Sequence, residues 1–285
     1  MSLPERKPEW FKIRLPSGST FKQTEHIVKS QRLHTVCESA ACPNRGECWS
    51  AGTATFMILG DVCTRACKYC DVITGRPKGQ DEDEPRRVAE AIQAMGVKFA
   101  VITSVTRDDL PDGGSTVFAR TVEEIRKLNP GCGVEVLVPD FLGNRVAVQR
   151  VFQVRPDVFG HNMETVPRIF SKIRPKATYD RSLSILQEAK QFGLKIKTGL
   201  MLGLGETREE LQEVFQMFVN VGMDVLTLGQ YLRPSSWHVP IERYVTPEEF
   251  RELGQLAKGM GIPLVHSGPL VRSSYHAEQI LKQGV

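Results

Sequence analysis

Six short, β-branched apolar runs, each followed by a longer segment at helical spacing, restrict the fold of this chain more than any other feature. The runs are "TFMILG" (55–60), "FAVITSV" (99–105), "GVEVLVP" (133–139), "DVFGHNM" (157–163), "KIKTGLML" (195–202) and "DVLTLGQY" (224–231). Helical patterns fall between them at 84–95, 115–128, 144–153, 178–192 and 207–221, with one more at 247–260. Strands apolar on both faces need cover on both sides, the condition of a parallel sheet overlaid with helices. Thr207 with Glu210, and Thr246 with Glu249 behind Pro247, read as capping boxes that start two of the helices. Six βα units are too few to close an eightfold barrel. The expectation is an α/β fold, a partial (β/α)6 barrel over residues 54–262. A doubly wound open sheet is the alternative, because strand order is not written in one sequence. Residues 1–53 show no sustained period and read as an N-terminal extension ordered by a ligand; 263–285 read as a C-terminal segment.

Charge narrows the function. Among 285 residues, 37 basic side chains face 33 acidic ones, a net +4. That balance lacks the basic footprint of a nucleic-acid binder, while leaving room for a local basic patch. The start, "MSLPERKPEWFKIRLPSGS", has no apolar core of a secretory signal, and no run approaches the roughly 20 apolar residues that span a bilayer. The expected location is the cytoplasm, where seven cysteines stay reduced.

Six of those cysteines form two triads: Cys37, Cys42 and Cys48, then Cys63, Cys67 and Cys70; Cys132 stands apart and reads as a small buried apolar residue. The second triad follows directly on the first strand, at the carboxyl rim where parallel α/β folds gather their functional groups. It lies in a polar loop, which argues against simple burial. A structural zinc site wants a second thiol pair or histidines that are not there. A redox pair at Cys67 and Cys70 leaves Cys63 unexplained. Three thiolates on a four-iron cluster account for the odd number and leave one iron open to a substrate or cofactor.

The spacing CxxxCxxC with Tyr69 before the last cysteine resembles the signature of the radical S-adenosylmethionine (SAM) superfamily. The Cx4Cx5C spacing of the first triad, together with "RSSYHAE" at 272–278, resembles one of its families, the lipoyl synthases. So do "TSVTRDDLPDGG", "HNMETV", "YDRSLSIL", "GLMLGLGET" and "GQYLRPSSWHVPIERYVTPEEF", so the likeness covers nearly the whole chain. The resemblance implies two 4Fe–4S clusters. One, on Cys63, Cys67 and Cys70, chelates SAM through its free iron and cleaves it to a 5′-deoxyadenosyl radical. The other, on Cys37, Cys42 and Cys48, is completed by a serine, Ser274 in preference to Ser273. A seryl oxygen is a hard ligand on soft iron, a weak bond that suits a cluster opened and consumed as sulfur donor. Without the resemblance, "RSSYHAE" reads as a polar helix start with a serine cap.

The same resemblance implies cofactor contacts beyond Tyr69. Ser104 and Asp108 follow the second strand, near the methionine amino group. Asn162 and Glu164 suit the ribose, Arg181 suits the carboxylate through its guanidinium fork, and Gly203 lets the backbone approach the adenine. Each has an ordinary structural reading too: turn, cap, surface arginine or packing. The implied reaction inserts sulfur at C6 and C8 of an octanoyl chain on a lysine of a lipoyl-carrier domain or an H-type protein. Implied partners also include an electron donor and iron–sulfur assembly or repair proteins, with no nucleic acid and no membrane. Basic residues Arg6, Lys7, Lys12, Arg14, Lys22, Lys29 and Arg32 would favour an acidic carrier or simply form a solvated arm. The competing readings are a non-catalytic iron–sulfur or zinc protein, and a radical enzyme acting on a free biotin precursor.

Overall fold

A computed structural model describes residues 7–13, 18–274 and 277; Arg6, Arg14 and the Tyr275–His276 part of the last motif lie outside it. In chain order the elements are α1 (Gly18–Ser30), β1 (His34–Thr35), α2 (Val36–Ser39), α3 (Arg45–Ser50), β2 (Thr55–Ile58), α4 (Glu84–Met95), β3 (Phe99–Ser104), α5 (Ser115–Leu128), β4 (Gly133–Leu137), α6 (Arg145–Gln153), β5 (Val158–Gly160), α7 (Pro167–Ile173), α8 (Tyr179–Gln191), β6 (Ile196–Leu202), α9 (Arg208–Val221), β7 (Val225–Gln230), α10 (Pro247–Met260) and β8 (Leu264–Ser267). All six expected strands and all six expected helices are present.

The strands lie side by side in sequence order, β1 to β8. Every pair from β2 to β8 is parallel, and β1 adds to β2 antiparallel. A doubly wound sheet reverses direction at a switch point; sequential order with helical crossovers is instead the wall of a barrel. The two faces of the sheet separate cleanly. Ala100, Ile102, Val134, Val136, Ile196, Leu226 and Leu228 pack into the main core with the helices, whereas Phe99, Val101, Val158, Val225 and Leu264 form a second cluster with Ala277. The strand registers put that second set on the same face as Glu135 and Lys197. These two form an ion pair of 2.8 Å, each at most 2% exposed, reaching from β4 to β6 over the intervening β5. This face is the lumen.

Six elements went unannounced: α1, β1, α2, α3, α7 and β8. In α1 only Thr24 and Val28 are buried, too few to print a period on the sequence. The helix is held through α3: Phe21 stacks against the fully buried Trp49 at 5.4 Å, and Thr24 donates its hydroxyl to the Trp49 carbonyl. Two-residue β1 and the strand "LVHS" of β8 lie in the stretches expected as appendages, and both join the sheet. At the start of α9 the capping box is complete. At α10 only half forms, because the Glu249 carboxylate is taken by Arg243 at 2.7 Å while Thr246 still caps the Glu249 N–H. Among the described residues no helix is long and apolar enough to cross a membrane.

Candidate active site

The loop after β2 is pinned along its length. Cys63 donates its N–H to the Ile73 carbonyl and accepts from Gly75, Thr64 donates to Thr106, and Cys70 donates to Cys67. The Cys63 sulfur accepts the backbone N–H groups of Arg65 (3.4 Å) and Thr106 (3.3 Å). Burial pushes the Cys67 thiol up, against the pull of Arg174, and pushes Cys70 up to about 12. Such thiols hold their protons until a metal centre takes the protons' place. No disulfide joins any of the seven cysteines. Among the described residues no three His, Cys, Asp or Glu groups converge on a point as ligands of a single ion do. A cluster takes one thiolate on each of several irons, so its thiols stand apart, and the soft all-thiol set suits iron and sulfide.

Arg65, between the first two of these cysteines, is 5% exposed and ties the loop to the barrel. Its guanidinium forks onto Asp108 with two bonds of 2.8 Å and reaches Asp140 at 2.6 Å. Asp140 takes Arg181 on its other oxygen at 2.7 Å. Burial opposes the charge of Asp140, but the Arg65 contact outweighs it and holds the carboxyl down to about 2. Thus Asp108 and Arg181, both expected at the cofactor, are committed to an alternating Arg–Asp network that links the cysteine loop to β3, β4 and α8.

Tyr69 and Glu164 come together: the phenol donates to the carboxylate at 3.1 Å. Glu164 is held at φ +67°, its N–H on Gly199 and its carbonyl on Met201, which spends backbone strain to fix the side chain. Burial raises its pKa, and the nearby Arg174 lowers it. Arg174 is itself buried, donates to the Asn162 carbonyl at 2.7 Å and lies over Phe170. It is the cation of this wall, and sequence reading passed over it, as it did Arg65, Asp140 and His238. The one available signal was an arginine inside a cysteine motif. Ser104 Oγ and Asn162 Oδ1 are buried with no partner among the described residues. Orphans of this kind cost about 1–3 kcal/mol each, which a polar ligand such as SAM recovers, so the residues present fit that cofactor. Gly203, at φ +94°, is differently used: a Cβ there would sit 2.2 Å from Gln230 Nε2 and 2.4 Å from the Arg243 carbonyl. The close approach it permits is to its own chain.

The first triad occupies α2, α3 and the turn between them. Cys42 donates to the Cys37 carbonyl at 3.2 Å, Cys48 donates to Asn44 at 2.9 Å, and burial raises the Cys37 thiol. Residues 270–274 pass alongside as a strap. Leu270 accepts the Asn44 side-chain amide at 2.7 Å, and burial pushes the Arg272 guanidinium down, with Cys42 beside it opposing. The Val271 carbonyl lies where a Cβ on Gly229 of β7 would be, at 2.0 Å, and Ser273 Oγ accepts from Asn162 at 3.3 Å. The strap therefore joins the first triad to the rims of β5 and β7.

Comparison with known proteins agrees with this geometry. Residues 57–218 match the family model described as the Radical SAM superfamily. Curated lipoyl synthases align over nearly the whole chain: that of a Nocardioides species is 53% identical over 99% of this chain and 89% of its own length, and that of Rubrobacter xylanophilus is 53% identical over 96% and 86%. Among solved structures, SuiB of Streptococcus suis bound to S-adenosylmethionine superposes with a TM-score of 0.59 at 12% identity, over 87% of this chain and 61% of that one. The hydrogenase maturase HydG gives 0.55 at 16% identity, over 92% and 71%. At such identities the likeness is one of fold. From thiol triads, barrel and relatives together, the chain belongs to the lipoyl synthase family of the radical SAM superfamily.

Proposed function

We propose that this chain inserts sulfur at C6 and C8 of an octanoyl group carried on a lysine of a lipoyl-carrier domain or H-type protein, in the cytoplasm. The carrying observation is the strap, which bonds to the first cysteine triad through Asn44 and to the second triad's barrel rim through Asn162. In this reading Cys63, Cys67 and Cys70 hold one 4Fe–4S cluster beside SAM, and Cys37, Cys42, Cys48 and Ser274 hold the other. When bound, the first cluster with SAM supplies a carbon radical able to take hydrogen from an unactivated C–H bond, and the second supplies sulfur. The Ser273 hydroxyl is already engaged by Asn162, which supports Ser274 as the ligand. Tyr69, Ser104, Asn162 and Glu164 orient the cofactor; Asp108 and Arg181 serve it through Arg65, and Gly203 through the packing of Gln230. Arg174 offsets the negative charge gathered at the site. The strap, seated over Gly229, keeps water from the lumen. Residues 1–53 and 263–285 contribute the auxiliary site, and 54–262 the radical machinery. An electron donor and iron–sulfur assembly or repair proteins complete the partners.

Anaerobic reconstitution should give about eight irons and eight sulfides per chain. With SAM, dithionite and an octanoylated lipoyl domain, the expected products are 5′-deoxyadenosine and the lipoylated domain by mass spectrometry. Ser274→Ala should still release the nucleoside and lose most sulfur insertion. A fully iron-loaded protein that releases no nucleoside would overturn the proposal.

A further inference from the structure

We propose that the outer face of the Cys63–Cys70 loop is the docking surface for a small acidic protein that delivers electrons one at a time; this rests on the reading of that loop as the seat of a reducible cluster.

Three segments meet on this face. Lys68 donates its N–H to the Ile173 carbonyl at the end of α7 (2.8 Å) and accepts from Val239 (3.0 Å), and the His238 ring sits 3.1 Å from the Cys70 carbonyl. The charge of the three is one-sided. Residues 63–80 carry four cations and a single carboxylate, Asp71; residues 167–177 carry four cations and no carboxylate; residues 231–240 carry Arg233 and none. Arg65 and Arg174 are buried and Arg168 is paired with Glu210. That leaves Lys68, Arg76, Lys78, Lys172, Lys176 and Arg233, all exposed and in no side-chain ion pair with a described residue. Those six exposed cations stand on three segments that backbone hydrogen bonds hold together beside the cysteine loop.

The face also carries an anchor. Trp237 is 93% exposed, on the loop whose His238 ring meets the Cys70 carbonyl. Trp237 sits on a turn that is already ordered. Arg233 donates to the His238 and Ser236 carbonyls, Ser235 pairs with the His238 ring at 2.9 Å, and the Tyr231 hydroxyl donates to Val239. A pre-ordered aromatic ringed by charge is the composition of a binding hot spot with electrostatic steering. The occupant follows from what lies beneath. The Cys70 carbonyl is one hydrogen bond from the surface through His238, a short route for an electron. An acyl arm, in contrast, must enter the lumen mouth, where the strap lies. On docking, the donor loses one electron and the cysteine-held centre gains it; no bond is made or broken at the surface.

The test uses the cluster-loaded full chain and an acidic bacterial flavodoxin, titrated for affinity at low and high salt, with an octanoylated lipoyl domain titrated in parallel. Flavodoxin affinity should fall at least about tenfold with salt, and at least about tenfold in Lys172→Glu/Lys176→Glu. Trp237→Ala should weaken it at both salt concentrations, with unchanged thermal unfolding in each variant. Flavodoxin binding indifferent to these changes would overturn the proposal. So would a loss confined to the octanoylated domain, which would assign the face to the carrier. Because affinity is read without turnover, failure here stands apart from failure of the reaction: wild-type protein that makes no nucleoside with dithionite would refute the cluster reading instead.

Discussion

Arg65 carries the position of the cysteine loop. It neutralises Asp108 and the fully buried Asp140, which shares its second oxygen with Arg181. Arg65→Met would strip Asp108 of its fork and leave the buried Asp140 with Arg181 alone, a loss of roughly 3–5 kcal/mol, read as a lower urea midpoint of the cluster-free protein. Arg65→Lys keeps the charge but not the fork and should recover only part of it. The case also shows where sequence reading stops. That Arg181 suits a carboxylate was legible from its chemistry; that the carboxylate is Asp140 depends on β4 and α8 meeting, which local residues do not encode. The triads were legible as clustered thiols because close spacing is visible in any sequence, while the carboxylate that Tyr69 meets, Glu164, is a tertiary fact. Gly203 was legible as a close approach, while its neighbours Gln230 and Arg243 are tertiary facts.

At the scale of elements, β4 and β6 are joined inside the lumen by Glu135 and Lys197. A buried pair of this sort contributes little net stability, yet losing one member strands the other. Lys197→Met alone should cost about 3–5 kcal/mol, and Lys197→Met with Glu135→Leu should come within about 2 kcal/mol of the native protein; denaturant melts of the two variants check this. A double variant as unstable as the single would mean the lysine is held by its packing, not by its partner. The six central strands were legible because each carries enough apolar residues to print its own period. Elements such as α1, β8 and β1 bury few side chains apiece, and their stability comes from neighbours already in place, so the local pattern is faint. Sequential strand order, too, was fixed by pairing and not by any one strand.

For the whole molecule, buried titratable groups set the acid limit. Burial pushes His161, its Nδ1 2.8 Å from the Val138 carbonyl, down to about 4. Its value is depressed on folding, so the unfolded chain binds the proton first: stability is intact above the ordinary histidine value of about 6.5 and drains as pH falls toward 4. The loss over that window is on the order of 3 kcal/mol. Asp140, depressed to about 2, adds a second loss only below about 4. His161→Gln should flatten urea midpoints between pH about 6.5 and 4 and leave the lower limb; an unchanged profile would place the first loss elsewhere.

The strap sets an order of events during synthesis. Leu270 closes on Asn44 across 226 positions of chain, and domains fold from the N-terminal side while translation continues. The thiols at 37, 42 and 48 thus leave the ribosome long before the segment that seats beside them. For that interval the nascent protein exposes a half-built thiol site to oxidants and stray metals. Guarding those three cysteines until residue 270 emerges is a task for the cell as much as for the fold.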